Sequence, residues 1–251
     1  MPPAEDLPRH LQLLWGQDGA RRGPRPGQTV EGIGAAAVAV ADAQGLPAVS
    51  MKAVAASLGL ATMALYRYVE SKDALYEVMV DQAYGPPPPE VDGGGWREGL
   101  EAWARALAGA LLAHPWVVDV PLSAPAATPN VLAWTDRGVA ALAGTALDGQ
   151  QRLSSLLLVD GFVRQHTRLS LQLGAAPVRH PAGGAPDGLG GRSYALTVAR
   201  VLDPARLPHL AQASPALDDD GDFYAEELEF GLSVVLDGVG ALVARSGTMG
   251  A

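Results

Sequence analysis

Apolar residues recur along most of the chain at the three- and four-residue spacing that places them on one face of a helix. Val30, Ile33 and Val40 follow this spacing, and the segment has a good N-cap in Thr29 and a good stop in Gly45. The pattern predicts a helix of ordinary length. We find no convincing alternation of apolar and polar residues of the kind that is typical of a strand, so the sequence predicts an all-α protein.

Two short helices and the start of a longer one follow. Ser50 is a second N-cap, and Gly59 is expected to end its helix in a left-handed backbone conformation. Thr62 is predicted to cap the next helix, at residues 63–68, and Ser71 to begin the fourth. Two short helices joined at a glycine are what a helix-turn-helix motif requires.

The clearest boundary in the chain lies at residues 86–95, where four consecutive prolines precede three glycines. Four prolines form a stiff spacer. Beyond it, the spacing predicts further helices at residues 96–114, 129–145, 148–173, 192–202 and 223–245, with irregular stretches at 175–191 and 203–221.

Charge changes this picture, because the 251 residues carry a formal net charge of −9. Taken whole, that charge argues against a nucleic-acid-binding protein. Basic residues nevertheless concentrate near the N-terminus, where Arg21, Arg22 and Arg25 have no acid among them. They are interpreted as a basic arm, and a plain disordered terminus is the alternative.

The amino-acid composition narrows the classes to which the protein can belong. Hydrophobic residues make up 48% of the chain, which is enough for a substantial core, and cysteine is absent. No apolar run approaches the roughly 18–20 residues of a membrane span, and no secretion signal is evident. We therefore expect a cytoplasmic protein without disulfides or thiolate metal sites.

The residue types around the glycine turn suit contact with a DNA duplex. Side chains that enter the major groove read base edges, whereas cations and hydroxyl groups hold phosphates. The candidates for base edges are Thr62, Met63 and Ala64. The candidate cations are Lys52, Arg67 and Lys72, and the candidate hydroxyl groups are those of Ser50, Tyr66 and Tyr68.

The stretch GLPAVSMKAVAASLGLATMALYRYVESKDAL resembles the DNA-binding domain of TetR-type (tetracycline-repressor-like) transcriptional regulators, and the resemblance covers about residues 29–80. Near the end, FYAEELEFGLSVVLDGVGALV resembles the last helix of the tetracycline-repressor-type C-terminal domain. The resemblance implies a homodimer that binds a palindromic DNA operator and leaves it when a small-molecule ligand binds. Tyr68 departs from the family pattern, which more often has histidine there.

The resemblance also implies the division of the chain and of its DNA contacts. We expect a flexible basic arm at residues 1–26, a helix-turn-helix DNA-binding domain at 27–84 and a larger helical ligand-binding and dimerisation domain at 85–251. Thr62, Met63 and Ala64 match the start of the helix that faces the bases, and Lys52 matches a position that contacts a base or a phosphate. Ser50, Tyr66 and Lys72 match positions that contact phosphates.

Two helices of the larger domain carry apolar residues on more than one face, so a second copy of the chain is expected to cover one face. The predicted dimer interface consists of Leu156, Val163, Leu228, Leu232, Val235, Val239 and Leu242. Polar and aromatic side chains in the same domain are candidates for a ligand pocket: Trp103, Trp134, Arg137, Asp160, Gln165 and His166. The alternative is that these are solvated or interface residues.

Catalytic and metal-dependent functions find little support in the sequence. It has no phosphate-binding loop, no G-x-S-x-G motif and no cysteine nucleophile, and His166 has no partner at metal-ligand spacing. We therefore expect no cofactor, no metal and no enzymatic activity. Two alternatives to a repressor remain: a small-molecule binding or sequestering protein that lacks operator binding, and an all-helical enzyme that uses Asp160 or His166.

Overall fold

The computed structural model describes residues 7–17, 28–90, 93–123, 125–177, 191–213 and 223–249. The arginines of the predicted basic arm, Arg21, Arg22 and Arg25, lie outside these ranges. Every described segment of regular structure is helical, which confirms the predicted all-α class. The helices are α1 Arg9–Leu14, α2 Val30–Gln44, α3 Met51–Ser57, α4 Thr62–Leu65, α5 Lys72–Tyr84, α6 Trp96–Ala113, α7 Pro129–Ala141, α8 Gly149–Leu173, α9 Gly191–Val201, α10 Pro208–Ala213 and α11 Phe223–Met249.

The N-terminal unit consists of α2 to α5 around a small apolar core in which Ile33, Leu65 and Leu75 are fully buried. Side-chain caps set where its helices begin. Thr29 Oγ1 accepts the N–H of Gly32 at 3.1 Å, and the hydroxyl oxygens of two serines cap α3 and α5 in the same way. The predicted N-caps of α2 and α3 are confirmed, and α5 begins directly after Ser71, where the fourth helix was predicted to start.

Some predicted helix bounds are wrong. Ala61, and not Thr62, is the N-cap of α4, and the helix ends at Leu65, with turns continuing to Tyr68. The segment at 203–221 was predicted to be irregular, but it contains α10. Local spacing does not determine these short elements, because one or two turns gain little from their own hydrogen bonds.

The larger unit is built on α6, α7, α8 and α11. Asp148 caps α8 in a full capping box, in which its Oδ1 accepts the N–H of Gln151 at 2.8 Å and the Gln151 side chain accepts the N–H of Asp148 at 3.0 Å. Helices α8 and α11 cross closely: a Cβ on Gly231 would lie 2.3 Å from the ring of Phe162. A larger residue at position 231 would require the Phe162 ring to move.

The predicted dimer interface needs correction, because its residues lie in the core of the chain itself. Leu156, Val163, Leu228, Leu232 and Val239 are buried, and Val235 and Leu242 are partly buried against the same core. Heptad spacing identifies residues that share a face, but it does not say whether that face meets the same chain or a partner. On α11 the regular face packs inward.

Hydrogen bonds at three places tie the two units together. Trp116 Nε1 in the turn after α6 donates to Asp42 Oδ1 on α2 at 2.7 Å. Asp81 on α5 accepts from Asn130 at the start of α7. Trp134 Nε1 on α7 donates to the carbonyl oxygen of Gly85, where α5 ends, at 3.0 Å. The proline-rich segment is therefore not the sole connection between the two units.

Candidate nucleic-acid interface and internal cavity

The turn between α3 and α4 depends on Gly59, whose φ of +67° lies in the left-handed region. The N–H of Leu60 donates to the carbonyl oxygen of Ala55 at 2.8 Å, and the N–H of Gly59 donates to that of Ala56 at 3.1 Å. These bonds close the end of α3 as a glycine-dependent helix stop does. The predicted left-handed glycine is confirmed, and it sets the angle at which α4 leaves α3.

Helix α4 has one buried side and one exposed side. Leu65 and the following Val69 are fully buried and anchor the segment, whereas 75% of Met63 and 42% of Tyr66 are exposed. Arg67 is also exposed. A short helix with slender side chains on its exposed side and buried side chains anchoring its other side has the form of a reading helix for a DNA groove.

The other candidate DNA-binding residues lie on α3, α4 and α5 or directly beside them. Lys52 and Lys72 are exposed, and the Nζ of Lys72 lies 5.2 Å from the ring centroid of Tyr76. The Ser50 Oγ accepts the N–H of Ala53 at 3.1 Å, so its hydroxyl proton remains for a phosphate. Thr62, Ala64 and Tyr68 are partly buried.

A cavity of about 550 Å³ lies between the proline-rich segment and helices α6 and α7. Two of the predicted pocket residues, Trp103 and Arg137, line it. Trp134 lies behind the wall: its backbone oxygen accepts the Nε1–H of Trp103 at 2.9 Å. Trp134 also packs edge-on against Tyr84, with ring centroids 5.6 Å apart.

Asp160 and His166 do not line this cavity, and neither does Gln165, which is exposed on α8. Asp160 Oδ2 accepts from Arg164 Nε at 2.8 Å. Burial raises the pKa of Asp160 to about 6 and lowers the pKa of Arg164. The Arg164 guanidinium also lies 5.5 Å from the ring centroid of Tyr84. The Arg164 end of this pair therefore faces α5.

His166 is held between two aromatic rings. It stacks on Phe162 at 5.9 Å and lies 4.8 Å from the ring of Tyr224, whose backbone oxygen is 3.0 Å from Nε2. Burial lowers the pKa of His166, against the opposing effects of that hydrogen bond and the charge of Glu227. The contacts favour a packing role for this histidine over a ligand-binding one.

Sequence reasoning missed the residues that connect the two units, namely Asp42, Asp81, Trp116 and Asn130. Spacing did not single out Asp81, because it follows Asp73 and Glu77 at four-residue intervals along α5, and only the structure shows that it is 2% exposed. A carboxylate there requires a partner. Within the described residues, no three potential metal-binding side chains cluster, and no helix is long and apolar enough to cross a membrane.

Comparison with known proteins now decides the family. Residues 33–79 match the bacterial regulatory proteins of the tetR family, and residues 88–243 match the tetracyclin repressor-like C-terminal domain. The chain belongs to the TetR family. It is therefore a DNA-binding transcriptional regulator, built from an N-terminal helix-turn-helix domain and a larger helical domain.

Relatives cover nearly the whole TetR-family chain. The HTH-type transcriptional repressor DrrR1 of Streptomyces coeruleorubidus is 35% identical over 245 residues, which span 96% of this chain and 88% of DrrR1. The crystal structure of ActR from Streptomyces coelicolor in complex with actinorhodin has a TM-score of 0.71 at 22% identity, over 87% of this chain and 99% of ActR. BioQ with its double-stranded DNA operator has a TM-score of 0.55 at 18% identity, over 84% and 98%. At these identities the two structures establish the shared fold.

Proposed function

We propose that the protein is a homodimeric transcriptional repressor of the cytoplasm, which binds a palindromic operator and is released from it by a small molecule. The observation that carries the proposal is the exposed face of α4, set on the Gly59 turn and anchored by Leu65 and Val69. The name of DrrR1 supports repression, and BioQ with its operator supports DNA binding on this fold.

We assign the reading of base edges to the exposed side of α4. Met63 and Thr62 are slender enough to approach thymine methyl groups and base edges, and Arg67 supplies hydrogen-bond donors. Ala64 is small enough to let the helix enter the groove. The phosphate contacts come from Ser50, Lys52, Tyr66, Tyr68, Lys72 and the arginine arm.

A dimer would place two such helices in successive major grooves. The exposed apolar side chains of α8 and α11 supply the contact face: Leu157 and Leu158 are 69% and 64% exposed, and Phe230 and Val234 are 68% and 54% exposed. Leu153, at the start of α8, extends this face. Large apolar side chains so exposed on two packed helices favour burial against a second copy.

Operator binding is tested by fluorescence anisotropy with a labelled duplex from upstream of the protein's own gene. A shuffled duplex of the same composition is the control. The repressor should prefer the upstream duplex at least about a thousandfold, and its affinity should fall steeply between about 50 and 200 mM salt. Equal binding of both duplexes would instead favour a small-molecule sequestering protein.

The same assay gives the test of release. A panel of lipophilic metabolites and antibiotics is first screened by thermal shift, because a ligand of the folded protein raises its melting temperature. The compounds that bind are then added to the protein–operator complex. Binding without any loss of anisotropy would overturn ligand release while leaving operator binding intact. ActR with bound actinorhodin supports the expectation of a ligand on this fold.

A further inference from the structure

Helix α1 lies outside both segments that match the TetR family. The matches cover residues 33–79 and 88–243, whereas α1 is Arg9–Leu14. Its inner side is buried at His10 and Leu11. A helix of six residues gains little from its own hydrogen bonds, so its contacts with the rest of the chain hold it in place. Those contacts show what α1 does.

The first turn of α1 is bonded to the DNA-binding domain. His10 Nε2 lies 3.0 Å from Glu77 Oε2 on α5, and the His10 side chain is buried, whereas that of Glu77 is partly exposed. Leu13 and Leu14 are partly buried against the apolar core, and α1 also contacts α2. This part of α1 therefore moves with the DNA-binding domain.

The other end of α1 is bonded to the larger domain. Trp15 directly follows the helix, and its Nε1 donates to the backbone oxygen of Ala127, shortly before α7, at 3.0 Å. The N–H of Gln17 donates to the carbonyl oxygen of Gln12 at 2.8 Å and closes the helix end. This closed end fixes the backbone that carries the Trp15 indole.

These two bonds cross a junction that also has a direct connection. Glu77 and Asp81 lie about one turn apart on α5, and Ala127 and Asn130 lie at the start of α7. Asp81 Oδ1 accepts the backbone N–H of Asn130 at 2.7 Å. We call this region the α5–α7 junction. Helix α1 bridges the two elements that the Asp81–Asn130 bond joins, through a separate part of the chain.

We infer that α1 is a strap across the α5–α7 junction, which restrains the DNA-binding domain and thereby positions α4 for operator binding. His10 and Trp15 are its two attachment points. Because Leu65 of α4 and Leu75 of α5 are buried in one core, a restraint on α5 also restrains α4. A protein that samples fewer unsuitable arrangements loses less affinity to them. This inference rests on the proposed function, since the restraint takes effect at the operator.

The junction is tested first without DNA, by amide hydrogen exchange with mass spectrometry on the full chain. Trp15→Phe keeps an aromatic ring but removes the donor to Ala127, and Glu77→Ala removes the partner of His10. Each variant should raise the exchange rate at residues 126–134 about fivefold, as the loss of one hydrogen bond implies. An unchanged rate in either variant would overturn the strap.

The double variant distinguishes a strap from two independent contacts. Because loss of either attachment frees α1, the second loss should add little. Trp15→Phe combined with Glu77→Ala should therefore exchange at most about twofold faster at residues 126–134 than either single variant. Effects that multiply to about 25-fold would show two independent contacts and would contradict the strap.

Two matched variants control for the substitutions themselves. Gln12→Ala removes a side-chain bond to the Leu7 carbonyl oxygen, which stays within the N-terminal segment. Asp73→Ala removes an acid from the exposed first turn of α5, one turn before Glu77. Both should leave the exchange rate at residues 126–134 within about twofold of the unaltered chain. If Asp73→Ala raises this rate as much as Glu77→Ala does, the effect travels along α5 and α1 is not the route.

Operator binding then tests the positioning role. In the anisotropy assay, Trp15→Phe and Glu77→Ala should each bind the upstream duplex about fivefold more weakly. The slope of log affinity against log salt should not change, because neither residue is among the proposed phosphate contacts. An unchanged or higher affinity, or a reduced slope, would overturn the positioning role. The exchange experiment contains no DNA, so its failure is distinct from a failure of operator binding.

Discussion

Asp81, on the helix that carries the DNA-binding domain, caps the first turn of α7 through Asn130. Asp81 Oδ1 accepts the backbone N–H of Asn130 at 2.7 Å, and Oδ2 accepts its Nδ2–H at 3.0 Å. The same Nδ2 also donates to the backbone oxygen of Asp81 at 3.1 Å. One buried carboxylate thus satisfies an orphan donor at a helix N-terminus and fixes the position of α5 against the larger helical domain.

Removal of this carboxylate should destabilise the protein. Asp81→Ala is expected to lower the free energy of unfolding by about 2 kcal/mol, because charge-assisted hydrogen bonds are lost and Asn130 is left with unpaired donors. Asp136→Ala, at an exposed position on α7, is the control and should change the free energy of unfolding by less than about 0.5 kcal/mol. Urea unfolding measures both variants, and equal effects would show that the Asp81 cap contributes nothing.

Trp134 offers a test of how the two domains communicate. Trp134→Phe keeps an aromatic ring beside Tyr84 and Trp103 but removes the hydrogen bond to the Gly85 carbonyl oxygen. We expect a ligand to bind this variant with little change in affinity and to release the operator less completely. Parallel calorimetry and anisotropy titrations check this, and unaltered release would mean that the bond carries no coupling.

The sequence predicted the DNA-binding half of the molecule better than the rest. The caps of α2, α3 and α5 and the Gly59 stop depend on residues within four positions, and local patterns record such interactions well. The contact of Asp81 with Asn130 joins residues 49 positions apart. No local pattern contains that information.

In the larger C-terminal domain, local patterns predicted even less of the structure. Periodicity identified α8 and α11 as apolar on two sides, yet it assigned the inward side of α11 to the partner. Which side faces inward depends on how α11 crosses α8, and that crossing depends on Gly231 and Phe162. The cavity needs the proline-rich segment to fold back over α6 and α7, and sequence spacing cannot predict that placement.

The proposed division between phosphate contacts and base reading predicts different behaviour for two variants. Lys72→Ala should weaken binding to all duplexes alike and reduce the slope of log affinity against log salt by about 1. Thr62→Val, in contrast, should change the preference among operator variants and leave that slope unaltered. Anisotropy titrations over a salt series and a set of single-base operator changes measure both quantities. A Thr62→Val protein with unchanged preference would remove Thr62 from the reading residues.

Asp160 should make stability depend on pH. Its folded-state pKa of about 6 exceeds the ordinary aspartate value of about 3.9, so the folded protein holds this proton more tightly than the unfolded chain. The contribution of Asp160 is therefore most favourable below about pH 4 and falls as the pH rises to 6, by roughly 2 kcal/mol. Asp160→Asn should flatten this part of the profile. Urea unfolding at several pH values is the measurement, and an identical profile in the variant would assign the dependence to another group.

The exposed apolar face of α8 and α11 predicts how the dimer can be separated without unfolding the chain. Phe230 is 68% exposed, so Phe230→Glu should leave the protomer folded and bury a charge only in a dimer. At micromolar concentration the variant should elute as a monomer in size-exclusion chromatography with light scattering, and it should lose operator affinity because one reading helix contacts only one half-site. The matched variant is Val239→Glu, which puts the same charge on the 3% exposed inner side of α11 and should unfold the chain. If Phe230→Glu remains dimeric while Val239→Glu yields a folded monomer, the inner face is the true contact and α11 must rotate on assembly.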